Sequence, residues 1–405
     1  MVTRRGFIGA LSLLLAVGLL MALPGGLVAQ GKVAKIGLSF PLTGADADSA
    51  DSIVKGAQLA IDEINAKGGV AGYKLEGVVF DSATPAAGQY DPAQSATNIR
   101  KFVADPAVVA SVGPQMSGEG KAISPILSEA ELATITPSST NPDITDPKFA
   151  NQYRPKGKAV YFRTVTTDAY QGPNMANHAV HNLKAKKVYI LDDGGAFGVG
   201  IADSFERRAK ELKMEVLGRD RLDPKEADYK TVLTKIKGLN PDAIYYGGVQ
   251  QAAVKLARQL HEVLPKVHKL GSDGIYDLGF PEQASKEAAA GWWASNASPD
   301  MLSDKKAAEW INAYKSKMKR EPTNYSITSY NAVKVIADAI DRTVKANKPV
   351  NRANVRDAIQ SANLKGTLQG DIAFDENGDI KSKVVSLYQV SKDGKFEYKG
   401  IAPEK

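Results

Sequence analysis

The sequence predicts an α/β protein built as two doubly wound parallel-sheet lobes. Three observations carry this. Short apolar strand patterns alternate with helical stripes; the alternation runs through two successive series; and each series is long enough to make one parallel sheet covered by helices. Of the 405 residues, 43% are hydrophobic and 24% charged, with 36 Gly, 20 Pro and no Cys. That apolar fraction supports real cores and excludes a disordered chain. The lack of Cys excludes disulfides, thiolate metal sites, cysteine nucleophiles and a lipidated N-terminal Cys. The formal charge of +7 is scattered rather than clustered, so nucleic acid is not an expected partner.

Residues 1–30 read as an export signal. Arg4 and Arg5 make a positive start, an apolar stretch runs from Ile8 to Leu23, and Pro24-Gly25-Gly26 ends it. Leu27-Val28-Ala29 then offers small residues for cleavage. Thr3-Arg4-Arg5-Gly6-Phe7-Ile8 is similar to the twin-arginine export motif. Gly9 and Gly18 interrupt the stretch, which falls short of the ~20 apolar residues of a membrane anchor. No other segment is apolar enough to span a bilayer.

The first series opens with a buried strand at 34–40 (AKIGLSF). A helix is expected at 53–66, where Ile53, Ala57, Ala60, Ile61 and Ile64 repeat at helical spacing, and Lys67-Gly68-Gly69 stops it. Strands at 74–80, 108–112 and 133–136 follow, with helices at 92–104 and 118–130. The second series predicts strands at 188–191, 214–218, 243–247 and 269–272, and helices at 199–212, 229–238 and 251–264. Beyond residue 300 come helices at 305–319, 327–346 and 352–362. A hairpin is expected last, pairing 371–374 with 384–390 through Asp375-Glu376-Asn377-Gly378. The late helices need a sheet to cover, and the second series already has its own. The chain is therefore expected to return to the first lobe, making the lobes discontinuous.

Catalytic constellations are scarce. His178 and His181 stand three apart, a spacing that could ligate a metal, but no zinc-protease Glu accompanies them and a solvated helix surface is expected. No P-loop or G-x-S-x-G occurs. The glycine-rich stretch 194–200 (GGAFGVG) lacks the third glycine and the acidic residue of a dinucleotide fingerprint. Asp375, Asn377 and Asp379 imitate the start of a calcium loop, but Ile380 and Ser386 at its sixth and twelfth positions mark a turn instead. No metal and no cofactor is expected.

Small polar residues just past strand ends are more informative. Ser117 follows the strand at 108–112 and is the expected N-cap of the next helix, whose free N–H groups suit a carboxylate. The run from Thr136 to Asn141 follows the neighbouring strand with further hydroxyl and amide donors. Both would open onto the C-terminal edge of one sheet, where open α/β sheets bind ligands.

With these residues in view, the chain resembles the periplasmic substrate-binding proteins of ABC transporters, of the leucine/isoleucine/valine-binding type. The matching stretches are IGLSFPLTG at 36–44, GAQLAIDEINAKGG at 56–69, ITPSST at 135–140, FRT at 162–164, Asp168 with Gln171-Gly172-Pro173, YYGG at 245–248 and FDENGD at 374–379. They stand in family order and cover essentially the whole chain after the signal. The resemblance implies the type I binding-protein fold, with lobe 1 at 31–164 plus 297–384 and lobe 2 at 165–296 plus 385–405. Three crossovers near Val165, Asn296 and Val385 would join them as a hinge.

It also implies a site. Ser117 and Thr140 stand where hydroxyls hold a ligand carboxylate, helped by the backbone at Ser138, and Asp273 stands where a carboxylate takes the α-ammonium. Phe197 matches an aromatic that closes over the ligand, and Tyr325 one that lines its side-chain end. Gln115 and Val249 should border the cavity. Several positions depart from the family. Ser49 and Val249 replace aromatics, Asp273 is shorter than the usual Glu, and Gln115 is polar where a branched-chain binder is apolar. Thr84 and Met116 occupy positions often joined by a disulfide. Asp46, Asp48 and Asp51 make an acidic entrance loop, expected to be solvated. The function implied is a monomeric, exported, non-enzymatic solute receptor. It would bind a small amino acid or related carboxylate and deliver it to a membrane permease, without a cofactor. The alternatives are the same fold with urea, an amide or an aromatic acid as ligand, or a hydrolase on an α/β scaffold.

Overall fold

The computed structural model describes residues 31–404; the expected export signal lies outside them. Five parallel strands form the first sheet: β1 (Lys32–Phe40), β2 (Tyr73–Asp81), β3 (Val108–Val112), β4 (Ala133–Thr136) and β5 (Tyr161–Arg163), in the spatial order β2-β1-β3-β4-β5. All of β3 and β4 is buried, as expected of parallel strands covered on both faces. The first helices are α1 (Ala47–Ala66), α2 (Pro92–Ala104) and α3 (Ser117–Ala130). The start of α2 follows from its sequence: Asp91 Oδ1 accepts the Ala93 N–H at 2.8 Å, and Pro92 needs no partner in the first turn.

The second sheet takes β6 (Lys187–Asp192), β7 (Glu215–Arg221), β8 (Ala243–Gly247), β9 (His268–Gly271) and β10 (Trp293–Asn296), all parallel. Helices α4 (Asp168–Asn177), α5 (Ala196–Glu211), α6 (Lys230–Leu239) and α7 (Gln250–Val263) connect them. The chain then returns to the first sheet with α8 (Ala308–Met318), α9 (Asn324–Lys345) and α10 (Arg352–Gln360). Ile327, Val333, Ile340 and Val355 share one core with Ile36, Leu38 and Ile53, so the late helices cover the first sheet.

The end of the chain differs from expectation. The hairpin pairs β11 (Asn363–Thr367) with β12 (Gly370–Ala373), not 371–374 with 384–390. Strand β13 (Ser386–Val390) instead joins β10 antiparallel, and β14 (Phe396–Ile401) extends the sheet to β14-β13-β10-β9-β8-β6-β7. The turn at 375–379 does form, with Asp375 Oδ1 accepting the Asn377 and Asp379 N–H groups at 3.0 Å each, but it closes only a bridge between Phe374 and Ile380. A turn signal specifies a reversal; it does not choose the partner strand. The short strands β5 and β10 escaped periodicity, and Gly172 and Pro173 hid α4. His178 is likewise not on a solvated surface. It is buried in a π-turn, 4.2 Å from the Trp293 ring, and burial pushes its pKa down to about 4.

Helices α1 and α9 cross tightly at Gly56. A Cβ there would lie 2.0 Å from the Ser326 carbonyl oxygen, while Ser52 Oγ and Ser326 Oγ stand 2.7 Å apart. Gly56→Ala must push α1 off α9 and is expected to destabilise by roughly 1–3 kcal/mol. Thermal unfolding checks this against Gly238→Ala, whose Cβ would meet nothing within 4 Å and which should be neutral or stabilising. Equal unfolding temperatures for the two variants would contradict the close crossing.

Candidate binding site

A cleft of about 550 Å³, mouth included, opens where the C-terminal ends of the two sheets face each other. Ser49, Gln115, Ser117 and Ser138 line it from the first half with Tyr325 of α9, and Phe197, Val249 and Asp273 line it from the second. Thr140 does not line it. It is fully buried behind the wall.

Ser117 is the first residue of α3, not its N-cap as expected. Met116 holds that place, and its N–H donates to Glu119 Oε2 at 3.0 Å. The reason is local: Glu119 sits three residues on and bends back, so the cap needs no hydroxyl. Ser117 Oγ is thereby left in the wall, where it accepts the Asn141 N–H at 3.2 Å and lies 3.3 Å from Ser139 Oγ. Ser138 Oγ donates to the Gln115 carbonyl at 3.1 Å. Hydroxyls, the first-turn N–H groups of a 14-residue helix and its dipole together make an anion-favouring corner. Burial pushes Glu119, behind that corner, up to about 8.

The opposite corner is acidic. Asp273 begins a short 3₁₀ turn after β9. Tyr325 OH donates to its Oδ2 at 2.5 Å and Gln171 Nε2 to its Oδ1 at 3.0 Å. Gln171 Nε2 also donates to Asp168 Oδ1 at 3.0 Å, and Ser295 Oγ donates to Gln171 Oε1 at 2.9 Å. One amide thus bridges two buried carboxylates. Burial pushes Asp273 up to about 6 and, with the Asp273 charge beside it, pushes Asp168 well above the usual range. A cation arriving at this corner would relieve both effects.

Phe197, Ile201 and Val249 form an apolar cluster against Met116, which joins the halves across the cleft. Asn141 Nδ2 also crosses, donating to the Ala196 carbonyl at 2.8 Å. The segment around Thr84 is held without a disulfide: Thr84 Oγ1 donates to Asp91 Oδ2 at 3.0 Å, and the Ala45 N–H donates to Gly88 O at 3.0 Å. The acidic entrance loop divides. Asp48 and Asp51 pair with Arg320 as surface ions, whereas Asp46 is buried in the cleft wall, contrary to the expected solvation. Sequence reasoning also missed Asp277 and Gln250 in the wall and gave Gln171 and Asp168 no role. Asp277 could have been suspected from its place on the same loop as Asp273. The buried pair needed the fold, because α4 had no periodic signature. Among the described residues, no group of His, Asp or Glu is arranged to hold a metal ion, and no helix is long and apolar enough to cross a membrane.

A model of the periplasmic binding protein family matches residues 33–395. The Leu/Ile/Val-binding protein BraC3 of Rhizobium johnstonii is 32% identical over 355 residues, which cover 87% of this chain and 90% of that protein. The branched-chain amino acid transporter substrate binding protein LivJ of Streptococcus pneumoniae, solved in complex with isoleucine, is 27% identical with a TM-score of 0.79, covering 92% of this chain and 100% of that one. A solute binding protein of an ABC transporter from Rhodopseudomonas palustris, solved with p-hydroxybenzoic acid, is 18% identical with a TM-score of 0.76, over 92% of this chain and 98% of that one. At that identity the likeness is one of fold.

Proposed function

The chain belongs to the periplasmic binding protein family, and from that premise we propose that it is the extracytoplasmic receptor of an ABC importer, holding an amino acid or related carboxylate between two closing lobes. We assign the lobes to 31–164 with 297–384 and to 165–296 with 385–405, hinged near Val165, Asn296 and Val385. The observation that carries the reading is a small cleft with a hydroxyl and a helix start at Ser117 on one side and the Asp273 carboxylate on the other. A zwitterion satisfies both ends with charge-assisted hydrogen bonds, and neither end suits an apolar guest. Ser138 shapes the carboxylate corner, Thr140 supports it from behind, and Phe197, Val249 and Tyr325 exclude water. Binding energy spent across the gap shifts the population toward the closed form, which a membrane permease would then recognise. The receptor acts as an exported monomer and returns its ligand unchanged.

Calorimetry across the amino acids, with the ligand recovered and identified afterwards, tests this reading. At least one amino acid should bind and none should be turned over; silence across the whole panel would refute it. The acidity of the ammonium corner adds a pH signature. Burial holds Asp273 up at about 6 in the folded protein. Ammonium binding needs its charged form, so affinity should be level above that pH and fall by up to about tenfold per pH unit below it. A flat profile from pH 4.5 to 8 would remove Asp273 from the contact.

A further inference from the structure

The cleft carries more negative charge than one α-ammonium neutralises. Besides Asp273, it is lined by Asp46, from the loop ahead of α1, and by Asp277, from the loop after β9. Both are more than nine-tenths buried. Asp46 Oδ2 accepts the Tyr90 N–H at 3.0 Å and Asp277 Oδ1 accepts the Gly279 N–H at 2.7 Å, but among the described residues neither has an ion-pair partner. Arg320, the cation whose field reaches Asp277, is committed to Asp48 and Asp51 at 3.2 and 2.7 Å. Asp193 adds a further carboxylate near Asp46, its oxygens taken by the Gly195 and Val249 N–H groups. Asp48 reinforces the negative field at Asp277.

Gln115 points to a ligand independently. It is more than nine-tenths buried in the same wall, its Nε2 donates to Ser49 Oγ at 3.1 Å, and its Oε1 accepts nothing. A buried acceptor left unpaired is costly unless a guest supplies the donor. Asp46 and Asp277 come from opposite halves, so closing the cleft brings like charges together, and a positive guest reverses the sign of that contact. No three acidic or imidazole groups among the described residues converge as metal ligands, which favours an organic cation.

We propose that the guest is an amino acid whose side chain ends in an ammonium or guanidinium group, received by Asp46, Asp277 and the side-chain Oε1 of Gln115. The proposal rests on the amino-acid-receptor reading and names its ligand class. Titrating the full chain with L-lysine, L-arginine and L-norleucine tests it, since norleucine is lysine without its terminal ammonium. Lysine or arginine should bind more tightly than norleucine by about tenfold or more. That ratio should shrink toward unity in Asp277→Asn, with Asp46→Asn as a second variant and thermal unfolding as the check that each is folded. Norleucine binding as well as or better than both cations overturns the proposal while leaving the receptor reading intact. A ratio untouched by both variants also overturns it. If none of these ligands and no other amino acid binds, the receptor reading fails and takes this inference with it.

Discussion

Asp273→Asn is expected to lower amino-acid affinity by about 30-fold to several thousand-fold, the equivalent of the ~2–5 kcal/mol typical of truncating one partner of a buried charge pair. The same substitution should leave the ligand-free protein as stable as before, or more stable, above pH 6. The two effects share one cause. Without a ligand, the Asp273 carboxylate lies in a buried site beside Asp168, with only neutral donors from Tyr325 and Gln171. Burial raises its pKa above the unfolded value, so its contribution to stability is fully present below about pH 4 and is lost as pH rises through about 6. Asparagine keeps the shape and removes the charge, which relieves the empty protein and disarms the loaded one. Calorimetry for affinity and thermal unfolding at pH 5 and 7.5 read the two arms separately. A variant that binds normally, or one that loses binding only because it no longer folds, would contradict this account.

Arg163→Met should be the most destabilising single change near the cleft. The guanidinium is fully buried and spends its donors on four acceptors: Asp379 Oδ1 at 2.7 Å, the Ser139 carbonyl at 2.6 Å, the Asn141 carbonyl at 2.7 Å and Thr145 Oγ1 at 3.1 Å. It therefore holds the loop that carries Ser138 and Thr140 and ties it to the turn at Asp379. Methionine fills similar volume but leaves the largely buried Asp379 carboxylate without its cation, held only by the Thr145 hydroxyl, and takes a donor from two carbonyls. The expected loss is ~3–5 kcal/mol, with affinity falling as the carboxylate corner loosens. Arg163→Lys should recover part of the stability, because it restores the charge without the planar fork. Chemical denaturation measures the series. Wild-type stability in the methionine variant would mean that the loop is held by something else.

Much of this protein is legible in the order of its residues. The period of apolar positions dictates α2 at 92–104 and β8 at 243–247 to the residue, and a helix ending at 66 through its glycines. It dictates the α/β class as well, since only a helix-covered parallel sheet buries such strands on both faces. Ser117 could be nominated because it stands just past a strand end, whereas Asp273 is suggested by the family resemblance alone.

Only the tertiary structure decided which strand β13 would join, that His178 would be buried against Trp293, and that Glu119 rather than Ser117 would close the α3 cap. It alone turned Asp46 and Asp277 inward while leaving Asp48 on the surface. The physical reason is range. Periodicity reports which face of one element is apolar, over a few turns or strands. Partner choice and the burial of a charge are set by groups far apart in the chain, such as Ser52 against Ser326 or Tyr325 against Asp273, and no local pattern encodes those distances.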